Sequence, residues 1–139
     1  MKRRELLLVA AAAAGAAAAA EQNPAHHHDA SGSPLLDAAL HCVKAGEICQ
    51  AHCLDLLAEG DSSIAACARA VALMKPVCLA LSEMAAQKSP LLPRYAAVAG
   101  DVCQNCEAEC RKHSEKHAAC KACMDSCAAC AQECARAAA

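Results

Sequence analysis

The run ACKACMDSCAACAQEC, residues 119–134, places five cysteines at steps of three, four, three and four. At about 100° per residue, Cys120, Cys123, Cys127, Cys130 and Cys134 fall within an arc of about 80° on one helix face. A stripe of leucines in those positions would be an ordinary bundle core, so the chemistry lies in the substitution of sulfur for hydrocarbon. The other eight cysteines repeat the pattern. Cys42, Cys49 and Cys53 span about 40°, Cys67 and Cys78 about 20°, and Cys103, Cys106 and Cys110 about 60°. A buried thiol taken alone is a small hydrophobe, but thiols stacked on four stripes form a site for soft cations, and thiolates select Cu(I), zinc and iron-sulfur clusters.

Charge and coordination separate these metals. Thirteen thiolates in a low-dielectric core with no inward Lys or Arg are prohibitive unless a metal compensates them. Cu(I) brings one positive charge and accepts two or three sulfurs. If each thiolate bridges two coppers, the ratio approaches about one Cu(I) per cysteine and the core is close to neutral. Zinc requires about four tetrahedral ligands and leaves its sulfur sites negatively charged. A zinc or general soft-metal buffer is therefore the first alternative. Iron-sulfur chemistry fits poorly, because the ferredoxin-type spacings with their terminal Cys-Pro are absent. A thioredoxin-like use of CxxC needs a βαβ context, and no strand pattern is present. A disulfide-stapled structural or redox bundle is the second alternative. It leaves at least one thiol over, since thirteen is odd. It also strains pairs within one helix, where Cβ atoms stand about 5 to 6 Å apart against the roughly 3.5 to 4.5 Å of a disulfide.

The elements that must position these thiols are helices. The spacing predicts a first helix over 34–58, with Pro34 suited to the first turn and Gly60 to the C-terminal cap. A second runs to about Gln87 behind a cap at Asp61 or Ser62, with Pro76 expected to kink or break it. A third runs from about Pro93 to Lys112, and a fourth, capped by Ser114, reaches the C-terminal alanines. Four such helices with short connections pack most simply as an all-α, antiparallel up-down four-helix bundle with a cysteine-lined core. Asp37, Lys44, Glu47 and Asp55 lie on the far side of the first helix from its thiols, as an inward sulfur stripe requires. The chain has no Trp, no Phe and one Tyr, Tyr95, so its apolar residues bury little area each and another source of stability is expected.

The first residues read as an address. Arg3 and Arg4 precede the apolar stretch Leu6–Ala20, which ends in Ala18-Ala19-Ala20, the form of an export signal with its cleavage site over 1–20. That stretch is shorter than the roughly 20 residues of a membrane span, so no membrane association is expected after cleavage. The arginine pair resembles a twin-arginine signal, and a periplasmic location is the expectation. Residues 21–33, polar and containing His26, His27 and His28, read as a flexible His-containing tail, and 34–139 as the Cys-rich bundle. Cleavage removes three positive charges and one negative from a chain of net charge −2. The resulting acidic domain excludes nucleic acid as a partner. No constellation of nucleophile, base and orienting group is visible, so the chain is not read as an enzyme.

At HCVKAGEICQAHC (41–53), CARAVALMKPVC (67–78), VCQNCEAEC (102–110) and ACKACMDSCAACAQEC (119–134) the sequence resembles the copper storage proteins, specifically their exported, twin-arginine branch. The resemblance covers about Leu35 to Arg136. It implies a four-helix bundle that holds multiple Cu(I) ions on Cys42, Cys49, Cys53, Cys67, Cys78, Cys103, Cys106, Cys110, Cys120, Cys123, Cys127, Cys130 and Cys134. It also implies assembly as a homotetramer and supply of copper to a copper-dependent enzyme, directly or through a copper chaperone. In that family a histidine and several methionines guide copper into one mouth of the bundle. His52 matches the histidine, whereas Leu56, Glu59 and Ile64 stand where the methionines would be. His52 lies about 80° from the cysteine direction, at the edge of the core. His113 and His117 border the last turn at the same end, where solvated turn residues are the simpler reading. Met74 lies in line with Cys67 and Cys78, where it reads as gap-filling core before it reads as a thioether ligand. His41 reads as surface.

Overall fold

The computed structural model describes residues 33–139; the expected export signal, and the tail with His26, His27 and His28 except for its last residue, Ser33, lie outside the described residues. Helix α1 (Pro34–Ala58) opens with proline in its first turn. It ends as the glycine foretold. Gly60 adopts φ +94°, and the Asp61 amide reaches back to the Leu56 carbonyl at 2.9 Å, closing the helix with the six-to-one bond of a left-handed cap. A 3-10 turn, Ser62–Ile64, leads into α2 (Ala65–Ala86). Asp61 caps the turn, its Oδ1 accepting from the Ser63 amide at 3.0 Å and from the Ser63 hydroxyl at 2.6 Å.

Helix α2 runs unbroken through Pro76, where a kink or break was expected. The ring sits on the solvent side, opposite Cys67 and Cys78, and the carbonyl deprived of its amide partner is that of exposed Ala72, which water can satisfy. Helix α3 (Leu92–Arg111) carries Pro93 in its first turn, and α4 (Ala118–Ala138) begins at an uncapped His117. Ser114 does not cap α4. Its hydroxyl instead donates to the Arg111 carbonyl at 2.9 Å, which extends the end of α3 through a turn rather than starting the next helix.

Each helix has two backbone neighbours: α1 lies between α2 and α4, and α3 between the same two, while the diagonal pairs meet through side chains on the axis. This is the antiparallel up-down bundle, and the described residues contain no strand. Small residues allow the close approach. A Cβ on Gly46 of α1 would come within 2.8 Å of the Met74 methyl on α2, and one on Gly100 of α3 within 3.3 Å of the Cys134 Cβ on α4. The end of the bundle that holds the start of α1 is filled with hydrocarbon: Leu35, Ala39, Leu81, Ala85, Ala96 and Ala99 are all buried there. The middle and the opposite end are filled with sulfur. Ile64, Met74, Leu81 and Val71 are the bulkiest fully buried side chains, each worth about 1.5 to 3 kcal/mol. The hydrocarbon contribution is therefore thin for four helices.

Candidate metal centre

All thirteen cysteines are free thiols and fully buried. The helical periodicity that aligned them on each element is thus realised as a single column down the bundle axis. Their sulfurs gather in overlapping sets whose members lie within 4.8 Å of one another. Toward the hydrocarbon end, Cys42, Cys78, Cys103 and Cys130 come together from α1, α2, α3 and α4 respectively, with Cys134 beside Cys130. Next come Cys106, Cys123 and Cys127, then Cys49, Cys110 and Cys123, and at the far end Cys49, Cys53, Cys67 and Cys120. Cys49 and Cys123 each belong to two sets, so three of the four sets are linked through shared sulfurs, and the set of Cys42, Cys78, Cys103 and Cys130 shares none. With a metal–sulfur bond of about 2.3 Å, one ion joins sulfurs up to about 4.6 Å apart. The observed neighbours meet that limit: Cys67 and Cys110 at 3.4 Å, Cys78 and Cys103 at 3.5 Å, Cys49 and Cys120 at 3.9 Å, Cys53 and Cys67 at 4.0 Å.

The polar surroundings are sparse. Ser82 and Ser126 are the only buried polar side chains among the described residues, and both hydroxyls are engaged by carbonyls of their own helices, Leu79 and Cys123. When protonated, the Cys42 thiol donates to the Ser126 carbonyl at 3.1 Å. Among the described residues no cationic side chain is buried in the core. Desolvation therefore pushes the Cys53 thiol well above its ordinary value, reinforced by the like charge that would form at Cys49 and Cys67. Cys78 is pushed up because its proton is held first by Cys103 and then by Cys130 and Cys42. The opposite holds where a sulfur is ringed by donors. Cys42 is held low by S–H groups of Cys103, Cys127, Cys130 and Cys78, against the cost of burial, and Cys123 by those of Cys106, Cys110, Cys127 and Cys49. One sulfur in a ring of thiols can thus ionise while its neighbours keep their protons, and a column of ionised sulfurs needs cations from outside.

The thiol column approaches the surface at the end built from the α1–α2 and α3–α4 turns. His52, half-buried between Cys49 and Cys53 in sequence, places Nε2 2.9 Å from Nδ1 of His117, and the His113 ring centroid lies 6.5 Å from that of His117. Asp61 faces the two turn histidines, and its carboxyl is held below the usual range first by Ser63 and in smaller part by their charge. His117 is the residue that reasoning by helix faces undervalued. Its place beside the last turn suggests a solvated residue, and its proximity to His52 comes from the fold, across 65 residues of sequence. Leu56 is half-buried, Ile64 fully buried and Glu59 exposed, so this mouth is walled by imidazole and aliphatic groups. Met74 packs its methyl against Gly46, in keeping with core filling. His41 is exposed.

The family model for copper storage proteins matches residues 28–139. The chain belongs to the copper storage protein family. As expected for that family, it is not an enzyme. The relatives of this copper storage family member include an uncharacterized cysteine-rich protein, YhjQ, of Bacillus subtilis (strain 168), 29% identical over 88 residues, which are 63% of this chain and 78% of that protein. Two solved structures share its fold at a TM-score of 0.67 and 29% identity. One is apo copper storage protein 3 from Bacillus subtilis, where the match covers 76% of this chain and 97% of that one. The other is the Cu(I)-bound form of BsCsp3, where it covers 76% and 95%.

Proposed function

We propose that this protein is an exported copper store, in which the thirteen core cysteines bind multiple Cu(I) ions as thiolates. The observation that carries the reading is the sharing of Cys49 and Cys123 between adjacent sulfur sets in a core where no cationic side chain is buried among the described residues. Shared sulfurs suit bridging thiolates, and bridging brings a monovalent metal to about one ion per cysteine with little residual charge. The family match and the Cu(I)-bound relative point the same way. His52, with His117 beside it, is the proposed portal through which Cu(I) reaches the set of Cys49, Cys53, Cys67 and Cys120. Anaerobic Cu(I) titration with elemental analysis tests the reading. Saturation near one copper per thiol supports it, and saturation at one or two coppers rejects storage in favour of a carrier.

A zinc store is the second reading, because two of the sulfur sets contain four members, the number tetrahedral zinc requires. Anaerobic competition between Zn(II) and Cu(I), followed through thiolate-to-metal absorption, decides between them. Export rests on Arg3-Arg4 and the apolar stretch to Ala20. Cell fractionation with N-terminal sequencing tests a cut after Ala20 and a periplasmic destination. A copper-dependent enzyme, reached directly or through a copper chaperone, is the proposed recipient, and a homotetramer the proposed assembly.

A further inference from the structure

Among the described residues, one face of α2 is left without a partner. Between Arg69 and Glu83 the residues turned from the core are Ala72, Leu73, Pro76, Leu79 and Ala80. All five are apolar, and Leu73 and Leu79 are 54% and 50% exposed. The one charged residue inside this stretch, Lys75, is drawn aside to Glu47 of α1 at 2.8 Å. At 100° per residue the positions from Arg69 to Glu83 on this face occupy about 120°, centred on Pro76 and opposite the cysteines. A solvated helix face normally carries charge at such positions. This one does so only at its two ends.

The order of residues on the face is symmetric about Pro76. Leu73 and Leu79 are equally far from it, as are Ala72 and Ala80, and the two charges, Arg69 and Glu83, are equally far and opposite in sign. Such a face is complementary to itself when reversed. We propose that α2 pairs antiparallel with α2 of a second copy of the chain, about a two-fold axis beside Pro76. Leu73 then lies level with Leu79 of the partner subunit and Ala72 with Ala80 of the partner subunit. Arg69 meets Glu83 of the partner subunit, and the two-fold axis makes the same pair again at the other end. The alanines and the flat proline ring let the helix axes approach to the roughly 8 to 10 Å of close packing. A parallel pairing is disfavoured, since it sets each Arg69 against its own copy.

The area is adequate in kind. On the α3 side the stripe borders a shallow groove lined by Met84, Leu91, Arg94, Tyr95 and Val98, of about 310 Å³, where Leu91 and Val98 are also more than half exposed. Together they offer an apolar strip toward the roughly 800 Å² per partner of a stable interface. A lipid surface fits less well, because membrane-lying helices flank their apolar face with Lys and Arg, whereas here Glu83 stands within the stripe. The pairing deepens the assembly proposed above and rests on that reading only in holding that copies associate; it uses no copper chemistry.

Charge reversal tests it. In sedimentation equilibrium of the purified protein, apo and with reductant, Arg69→Glu and Glu83→Arg each raise the dissociation constant of the pair by roughly tenfold or more. The double variant R69E/E83R restores association, because it exchanges the partners across the two-fold axis. L73E/L79E abolishes the pair, with circular dichroism confirming that the bundle remains folded. Single reversals that leave the mass distribution unchanged overturn the proposal, as does a double variant no better than either single. So does a wild-type protein that stays monomeric while pelleting with phosphatidylglycerol vesicles. Cu(I) capacity measured on the same samples keeps the storage reading separate, since none of the four residues is a thiol.

Discussion

Nε2 of His52 on α1 and Nδ1 of His117 at the start of α4 stand 2.9 Å apart, one ring donating the proton that the other accepts. The pair lies at the end of the thiol column, next in sequence to Cys53 and three residues before Cys120, both members of the outermost sulfur set. Soft cations pass between imidazole and thiolate readily, because both are competent ligands for Cu(I). Replacing His52 with alanine is expected to slow copper uptake severalfold, and replacing His117 to slow it less, with the final Cu(I) content unchanged within about one ion. Stopped-flow transfer from a chromophoric Cu(I) chelator separates rate from capacity. A capacity falling by several ions would show that the histidines organise the core and do not serve its mouth.

Capacity itself is expected to follow the number of thiols. Changing Cys42, Cys78, Cys103 and Cys130 together to alanine removes one complete set drawn from all four helices and lowers the saturating copper by about four ions if the ratio is one per cysteine. Alanine is the better probe than serine. A buried serine brings a hydroxyl that bonds carbonyls of its own helix, as Ser82 and Ser126 do, and costs about 1 to 3 kcal/mol wherever it finds none, which confounds metal loss with unfolding. Elemental analysis of the anaerobically loaded variant, beside its melting curve, checks both quantities.

The sequence carried the helices and the inward direction of the thiols, because both follow from local rules. Pro34 and Gly60 bracket α1 at the bounds observed, Pro34–Ala58, and the steps of three and four between cysteines survive unchanged as one buried column. What local rules missed depends on the neighbours. Ser114 has the chemistry of an N-cap, yet the Arg111 carbonyl at the end of α3 claims its hydroxyl first. Pro76 has the chemistry of a helix breaker, yet the carbonyl it orphans faces water. His117 meets His52 only when α4 packs on α1, a contact that no single-helix projection contains.

Alkaline pH is expected to weaken the apo bundle. Every cause acting on Cys53, Cys78, Cys110, Cys127 and Cys134 drives these thiols above their ordinary value of 9.0, burial first for Cys53, and for the others a neighbouring thiol first, with burial adding to it. The folded state therefore holds their protons more tightly than the unfolded chain does. Below pH 9 both states are protonated and the contribution is fully present. Above it the unfolded chain releases protons that the fold retains, and stability falls as pH climbs toward the raised folded values. Sulfurs held low, such as Cys42 and Cys123, have the opposite dependence, but their contribution is complete above pH 9 and does not offset the loss. Melting temperatures of reduced apo protein from about pH 7 to about pH 11 should decline through the upper half of that range, and a flat profile would contradict the buried-thiol account.

Loading with Cu(I) is expected to reverse the weakness of the core. The hydrocarbon share of that core is small, with four bulky residues fully buried, and the sulfur sets each join two, three or four helices. An ion bound in such a set is lost if its helices separate, so binding free energy becomes folding free energy. At a free copper level of about 1,000 times the dissociation constant, a single site adds about 4.1 kcal/mol, and several sites in one column add more. The melting temperature should thus rise with each increment of copper and return to the apo value when a strong Cu(I) chelator strips the metal. The rise should shrink most in the variant lacking Cys42, Cys78, Cys103 and Cys130, because that set alone ties all four helices together. Differential scanning calorimetry across a copper titration reads the effect directly. Equal shifts in that variant and in the wild type would show that copper binds without bracing the bundle.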